Sequence, residues 1–288
     1  RTVSGLEIHS GDRIAFGGIQ GGDAKKGRVW ISDLTVEVTA LVDDIAGAKK
    51  LSIIGDSISS FEGWLPEGNK YFADYYIGGG LQDWTKTYWG ALCTKYMAGK
   101  LQMEKNISWT GSCVAQDTRT GSSYRPAFVT RYGKSNVGAT YALNSIGSPD
   151  IVIIYGGTND RYNSGYGLSD VNSTPDDAEF DAIFKKSNDN LVVTSFVQAY
   201  VKLINMVHAD CPDAKIINII GDYVTLEQIA SIKKISDHYT FCKYVDFSNG
   251  GSGNPKIGKL NGVHPNIDGM DYMAKTIFGE LGDWMLED

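Results

Sequence analysis

Short apolar runs that stop at small or acidic residues recur along the second part of this chain, and they limit what it can fold into. Leu51–Ile54 (LSII) ends at Gly55-Asp56, Ile151–Tyr155 (IVIIY) at Gly156-Gly157, and Lys215–Ile220 (KIINII) at Gly221-Asp222. Asn106–Trp109 is a shorter candidate, and Lys243–Phe247 (KYVDF) runs into Ser248-Asn249. Near-continuous Val/Ile runs are what strands covered on both faces require, as in a parallel sheet. Between them lie segments of helical period: Thr85–Met97, Thr194–His208, Leu226–His238 and Ile267–Met285. In the second, Phe196, Tyr200, Val201, Ile204 and Val207 form one apolar stripe. Strand–helix alternation predicts an α/β fold, with three α/β/α layers around a doubly wound, mainly parallel five-stranded sheet. In such sheets ligands bind beyond the carboxyl ends of the strands.

Residues 1–49 read differently. Ile14–Phe16 and Arg28–Val42 alternate apolar and polar positions, and Gly17, Gly18, Gly21 and Gly22 mark a turn between them. Two or three strands cannot close a core alone. This N-terminal β segment is therefore expected to be a partial sandwich or an appendage, with residues 50–288 as the main domain. The length of 288 residues fits one large domain or two small ones at about 150 residues each. Two polar, aromatic-rich stretches, Phe61–Trp84 and Arg161–Asn190, read as ordered functional loops.

The net charge of −7 argues against nucleic acid or an anionic membrane as partner, because both are gripped by clustered Lys and Arg. No run of about 18 apolar residues is present, so no membrane span is expected. Cys93, Cys113, Cys211 and Cys242 are widely spaced without a C-x-x-C pair, which removes zinc-ribbon and thioredoxin-type readings. Two disulfides are arithmetically allowed, but buried free thiols fit a domain of this size better.

Three strand-end motifs can carry chemistry. Gly55-Asp56-Ser57-Ile58-Ser59 follows the first buried strand, where Ser57 sits either as an exposed hydroxyl or as a helix N-cap. Gly156-Gly157-Thr158-Asn159-Asp160 follows the third strand; the Asn159 amide could donate to an oxyanion, and the same residues also suit a plain turn. Asn261-Gly262-Val263-His264-Pro265-Asn266 precedes the last helix. Of four histidines, His208 and His238 lie late in predicted helices and His9 in the N-terminal β segment, leaving His264 in a loop. A near-neutral imidazole is the usual base for a serine nucleophile.

In this order the motifs resemble the SGNH (GDSL-type) hydrolase family over roughly residues 50–285, with Gly111 in Ser108-Trp109-Thr110-Gly111-Ser112 matching the remaining glycine block. The resemblance implies a flavodoxin-like catalytic domain and a serine esterase or acylhydrolase. Ser57 would be the nucleophile and His264 the general base. The Ser57 and Gly111 N–H groups and the Asn159 side chain would form the oxyanion hole. It implies no metal and no organic cofactor.

One position departs from the family pattern. An Asp usually stands three residues before the His, and here that residue is Asn261. In another serine hydrolase the same exchange costs about 10⁴ in turnover through the wrong imidazole tautomer. Three outcomes stay open: a Ser–His dyad, a carboxylate recruited from elsewhere, or a weak or inactive enzyme. The expected substrate is a small-molecule or polysaccharide ester, with small acyl groups on carbohydrate favoured. Trp64, Trp84 and Tyr162 are the candidate sugar-stacking residues, and packing explains such aromatics equally well. A lipase- or thioesterase-type acylhydrolase and an inactive carbohydrate-binding relative are the alternatives. A polymer substrate would suit an extracellular or periplasmic location.

Overall fold

The structure, a computed structural model, describes residues 45–76, 80–115, 125–132, 145–162 and 174–287. The proposed β segment of residues 1–49 lies almost wholly outside the described residues.

A five-stranded, all-parallel sheet forms the centre, built from β1 (Lys49–Gly55), β2 (Leu101–Asn106), β3 (Ile151–Tyr155), β4 (Lys215–Ile220) and β5 (Cys242–Asp246). Its order is β2-β1-β3-β4-β5. In this order the winding reverses between β1 and β3, the place where sheets of this kind bind ligands. The all-parallel arrangement follows from covering on both faces. Along β3 every residue is buried, and alternate side chains serve different cores: Val152 and Ile154 on one face, Ile151, Ile153 and Tyr155 on the other. β-Branched side chains suit such a pleated, two-sided environment.

One face is covered by α2 (Phe128–Arg131), α4 (Asp177–Phe184), α5 (Phe196–Asp210) and α6 (Leu226–His238). The other is covered by α1 (Tyr88–Ala91), the turn that follows it, and α7 (Ile267–Leu286). The three-layer α/β/α fold read from the sequence is the fold observed. The four cysteines are buried and form no disulfide.

Three local expectations need correction. The second strand is Leu101–Asn106, not Asn106–Trp109. It is an edge strand whose polar, half-exposed middle hides the apolar signature. The chain after it still follows β1, with Ile107 N–H donating to Ile53 O and Trp109 N–H to Gly55 O at 2.9 and 3.0 Å. The helix expected over Thr85–Met97 breaks into a 3₁₀ turn (Trp84–Lys86), α1, and a π-helical turn (Leu92–Tyr96). The break comes where the Asp83 and Thr87 side chains each cap a separate start. The polar stretch Arg161–Asn190 contains α4, opened by a capping box in which Asp176 and Glu179 satisfy each other's backbone N–H groups.

Candidate active site

β1 delivers Ser57 to the point where the winding reverses. Gly55 is required at its end, because a Cβ there would lie 2.5 Å from Ser59 Cβ. The next residue, Asp56, is fully buried. One of its oxygens accepts the Ile58 N–H at 3.0 Å, which shapes the turn that presents Ser57. Burial raises the Asp56 carboxyl to about 7; the Ile58 N–H and Arg131 oppose that rise and neighbouring Asp160 adds to it. Fully buried Arg131 also donates to Gly55 O at 2.7 Å, fixing the strand end from below.

His264 reaches Ser57 from the far end of the chain. A two-stranded antiparallel hairpin, β6 (Lys259–Asn261) and β7 (His264–Pro265), makes Asn261 and His264 cross-strand partners. Directly paired residues project to one face, so the spacing of three becomes a side-chain contact. Just past β7, the Asn266 side chain caps α7 by accepting the Gly269 N–H at 2.9 Å. His264 Nε2 lies 2.9 Å from Ser57 Oγ. On the other side of the ring, Nδ1 lies 2.8 Å from Asn261 Oδ1. The Asn261 Nδ2 in turn donates to Asp74 Oδ2 at 3.3 Å.

The imidazole is held between aromatic rings. Phe72 stacks on it with centroids 3.5 Å apart, and Tyr75 meets it edge-on at 6.1 Å. Burial lowers the His264 imidazolium to about 4; the Asp74 charge works against this and that of Lys259 with it. Lys259 is itself ion-paired with Asp222. At neutral pH the ring is therefore uncharged, with one nitrogen able to accept the Ser57 proton.

Gly111 and Asn159 come to the same strand end. Gly111 takes φ +75°, a left-handed conformation suited to glycine. Its loop is tied to β1 by the Trp109–Gly55 bond and to the preceding loop by Thr110 N–H donating to Lys70 O at 2.8 Å. Asn159 lies in α3 (Thr158–Tyr162). Its Nδ2 donates to Ser112 O at 3.1 Å and to Asp56 Oδ2 at 3.3 Å, so the amide stands between the Gly111 loop and the Ser57 turn. Asp160 locks that arrangement by accepting the Val114 and Ala115 N–H groups at 2.9 and 3.1 Å.

Two of the three candidate sugar-stacking residues lie in one tryptophan cluster. Trp64 and Trp84 pack on each other at 4.7 Å and on buried Trp89 at 5.4 and 5.7 Å. The aromatic neighbours of His264 are instead Phe72 and Tyr75. Tyr162 ends α3, and its side chain lies outside the described residues. Neither Phe72, one of the aromatics of the Phe61–Trp84 loop, nor Asp74 stands in a motif; in the sequence that loop shows only composition. His208 and His238 lie against Phe241 and Phe184, with centroids 3.8 and 3.7 Å apart. His9 lies outside the described residues.

The profile of the GDSL-like lipase/acylhydrolase family matches residues 49–281. No curated protein matches the sequence. Among solved structures, a Bacteroides ovatus protein assigned as a GDSL-like lipase is similar at 22% identity and a TM-score of 0.60, covering 82% of this chain and 99% of that one. A family two carbohydrate esterase from Clostridium thermocellum, solved with cellohexaose, is similar at 18% identity and a TM-score of 0.53, over 85% of this chain and 66% of that one. A carbohydrate esterase family 2 enzyme with a carbohydrate-binding domain from Corynascus thermopiles (Myceliophthora fergusii) matches at 22% identity and a TM-score of 0.50, over 81% of this chain and 67% of that one. At these identities the likeness shows a shared fold.

Proposed function

Because the chain belongs to the GDSL-like lipase/acylhydrolase family and is an ester-hydrolysing enzyme, we propose that it removes small acyl groups from a carbohydrate, with Ser57 as nucleophile and His264 as base. The observation that carries this reading is the 2.9 Å contact between Ser57 Oγ and His264 Nε2, backed by Asn261 Oδ1 at 2.8 Å on Nδ1. The carbohydrate esterases that share the fold support the substrate class. Such a substrate would place the enzyme outside the cytoplasm.

Ser57 Oγ attacks the acyl carbonyl carbon while Nε2 takes its proton. The tetrahedral oxyanion is met by the Ser57 and Gly111 N–H groups and by Asn159 Nδ2. Both Asn159 amide hydrogens are engaged at Ser112 and Asp56, so the longer bond, to Asp56 at 3.3 Å, opens to serve the oxyanion. The Nε2–H then protonates the departing alcohol, leaving an acyl-Ser57 ester. Water attacks that ester with His264 again as base, releasing the acid and restoring the serine hydroxyl. The balance needs only water as co-reactant.

The test is hydrolysis of p-nitrophenyl acetate and of an acetylated polysaccharide beside Ser57→Ala. Wild-type turnover that disappears in Ser57→Ala is expected; equal rates for the two proteins would end the esterase reading. A preference for p-nitrophenyl palmitate over the acetate would move the substrate class to lipids.

A further inference from the structure

We infer that Asp74 is a positioning residue that sets the orientation of the Asn261 amide and, through it, the tautomer of His264. The inference rests on the serine-esterase reading above and explains how that site works without the usual carboxylate beside the histidine.

An amide has two ends of nearly equal size and opposite hydrogen-bonding character. Either could face His264 Nδ1, and the choice decides the chemistry. With Oδ1 toward the ring, Nδ1 must carry the proton and Nε2 is left with a lone pair for the Ser57 hydroxyl. With Nδ2 toward the ring, the proton moves to Nε2, which then donates to Ser57 and cannot act as base. A carboxylate accepts hydrogen bonds and does not donate them. Asp74 Oδ2, 3.3 Å from Asn261 Nδ2, therefore selects the first orientation. The 2.8 Å contact from Asn261 Oδ1 to Nδ1 then follows.

Asp74 is held in register with the nucleophile. It lies in the 3₁₀ turn Ala73–Tyr76. Just ahead of that turn, Phe72 N–H donates to Ser60 Oγ at 3.0 Å, and the same hydroxyl donates to Ser57 O at 2.9 Å. Phe72 stacks on His264, and Tyr75 is anchored in the core. One short segment thus supports the ring, fixes the amide and binds the serine turn.

Asp74 also supplies the negative charge that Asn261 lacks. Of the charged groups acting on the ring, Asp74 favours the imidazolium, while Lys259 of β6, paired with Asp222, opposes it. Phe72 and Tyr75 occupy further ring contacts without a carboxylate.

The experiment compares wild type, Asp74→Asn, Asn261→Asp and the double variant. Three readouts are used: kcat and KM on p-nitrophenyl acetate, the pH profile, and the imidazole tautomer from ¹⁵N NMR of histidine-labelled protein. Asp74→Asn is expected to lower kcat about 10–100-fold, below the roughly 10⁴ ceiling for a wholly wrong tautomer, with KM nearly unchanged. Its His264 should show a mixture of tautomers where wild type shows Nδ1–H. In the Asn261→Asp background the same change should cost no kcat, because a carboxylate has no donor end to turn the wrong way and the exchange also relieves two carboxylates left about 3.3 Å apart. An Asp74→Asn protein with wild-type kcat and a pure Nδ1–H ring overturns the inference. So does an equal loss in both backgrounds, which marks a merely structural role. If wild type and Ser57→Ala hydrolyse the ester equally, the esterase reading fails, and the NMR measurement still decides the role of Asp74.

Discussion

Phe72 lies flat on His264, with 3.5 Å between ring centroids and 9° between planes. An apolar ring on one face of an imidazole excludes water there, and loss of water disfavours the charged form. The contact contributes to the burial that lowers the imidazolium value to about 4.

The pH dependence of activity follows with a definite sign. Protonated His264 cannot accept the Ser57 proton, so kcat/KM should fall as pH drops through the folded-state value. The acid limb is expected near pH 4, well below the ordinary histidine value of about 6.5. Phe72→Ala readmits water, so its limb should move upward. A pH–rate profile on p-nitrophenyl acetate checks both, and a wild-type limb at the ordinary histidine value would contradict the burial argument.

Asn159→Ala should reduce kcat by about 10²–10³, the usual effect of removing one oxyanion donor, while KM changes little. The variant also strips a hydrogen bond from Asp56 Oδ2. Thermal unfolding should accompany the kinetics, so that a fall in kcat can be separated from loosening of the Ser57 turn. A kcat within a few-fold of wild type would remove Asn159 from the oxyanion hole.

Stability should also titrate, in the direction opposite to that of a salt-bridged carboxylate. Asp56 is raised to about 7 and Asp160 to about 6, both chiefly by burial. Between their unfolded values and these folded ones, the native state binds more protons than the unfolded chain, so its stability falls as pH rises. The lowered His264 works the other way: its contribution is fully present above its unfolded value and is lost as pH falls from about 6.5 to about 4. The net expectation is a thermal midpoint that declines from pH 6 to pH 8 and rises as pH falls from about 6 to about 4, where the two raised carboxyls outweigh the one lowered imidazole. Asp56→Asn should flatten the upper slope while lowering stability throughout, because its amide donor meets the Ile58 or Asn159 donors. Calorimetry across this range is the check, and a midpoint rising from pH 6 to pH 8 would refute the assignment.

What the sequence revealed depends on whether local pattern and tertiary role coincide. In β3 and β4 they do: buried on both faces, they must be apolar throughout, and they read directly. β2 pairs on one edge only, so its register with Lys49–Ile53 cannot be seen in LQMEKN. Ser57, Asn159 and His264 are legible because each follows a strand end or opens a helix. Asp74 is not, since its relation to Asn261 spans 187 residues and depends on a loop folding back over the serine turn. The Asn261 departure raised the question of an orienting group, and only the folded loop brings the carboxylate into contact.

The tryptophan cluster yields a prediction that separates packing from substrate binding. Trp89 is fully buried and donates through Nε1 to Ser59 O at 3.0 Å, two residues beyond Ser57. Trp89→Ala should therefore cost about 3–5 kcal/mol of stability, the range for deleting a large buried ring. Asn106 Nδ2 also donates to Ser59 O, at 2.8 Å, so that carbonyl keeps one partner. Trp64 and Trp84 are only half-buried against the same core. Each ring keeps part of its surface exposed, and the rest packs on the other and on Trp89. Trp64→Ala should lower stability by less than Trp89→Ala does. It should also raise KM for an acetylated polysaccharide several-fold, with p-nitrophenyl acetate kinetics unchanged. The contrast between polymer and small ester isolates stacking, because a packing defect that reached Ser59 would impair both substrates alike. Equal KM values for wild type and Trp64→Ala on the polymer would leave the cluster as core alone.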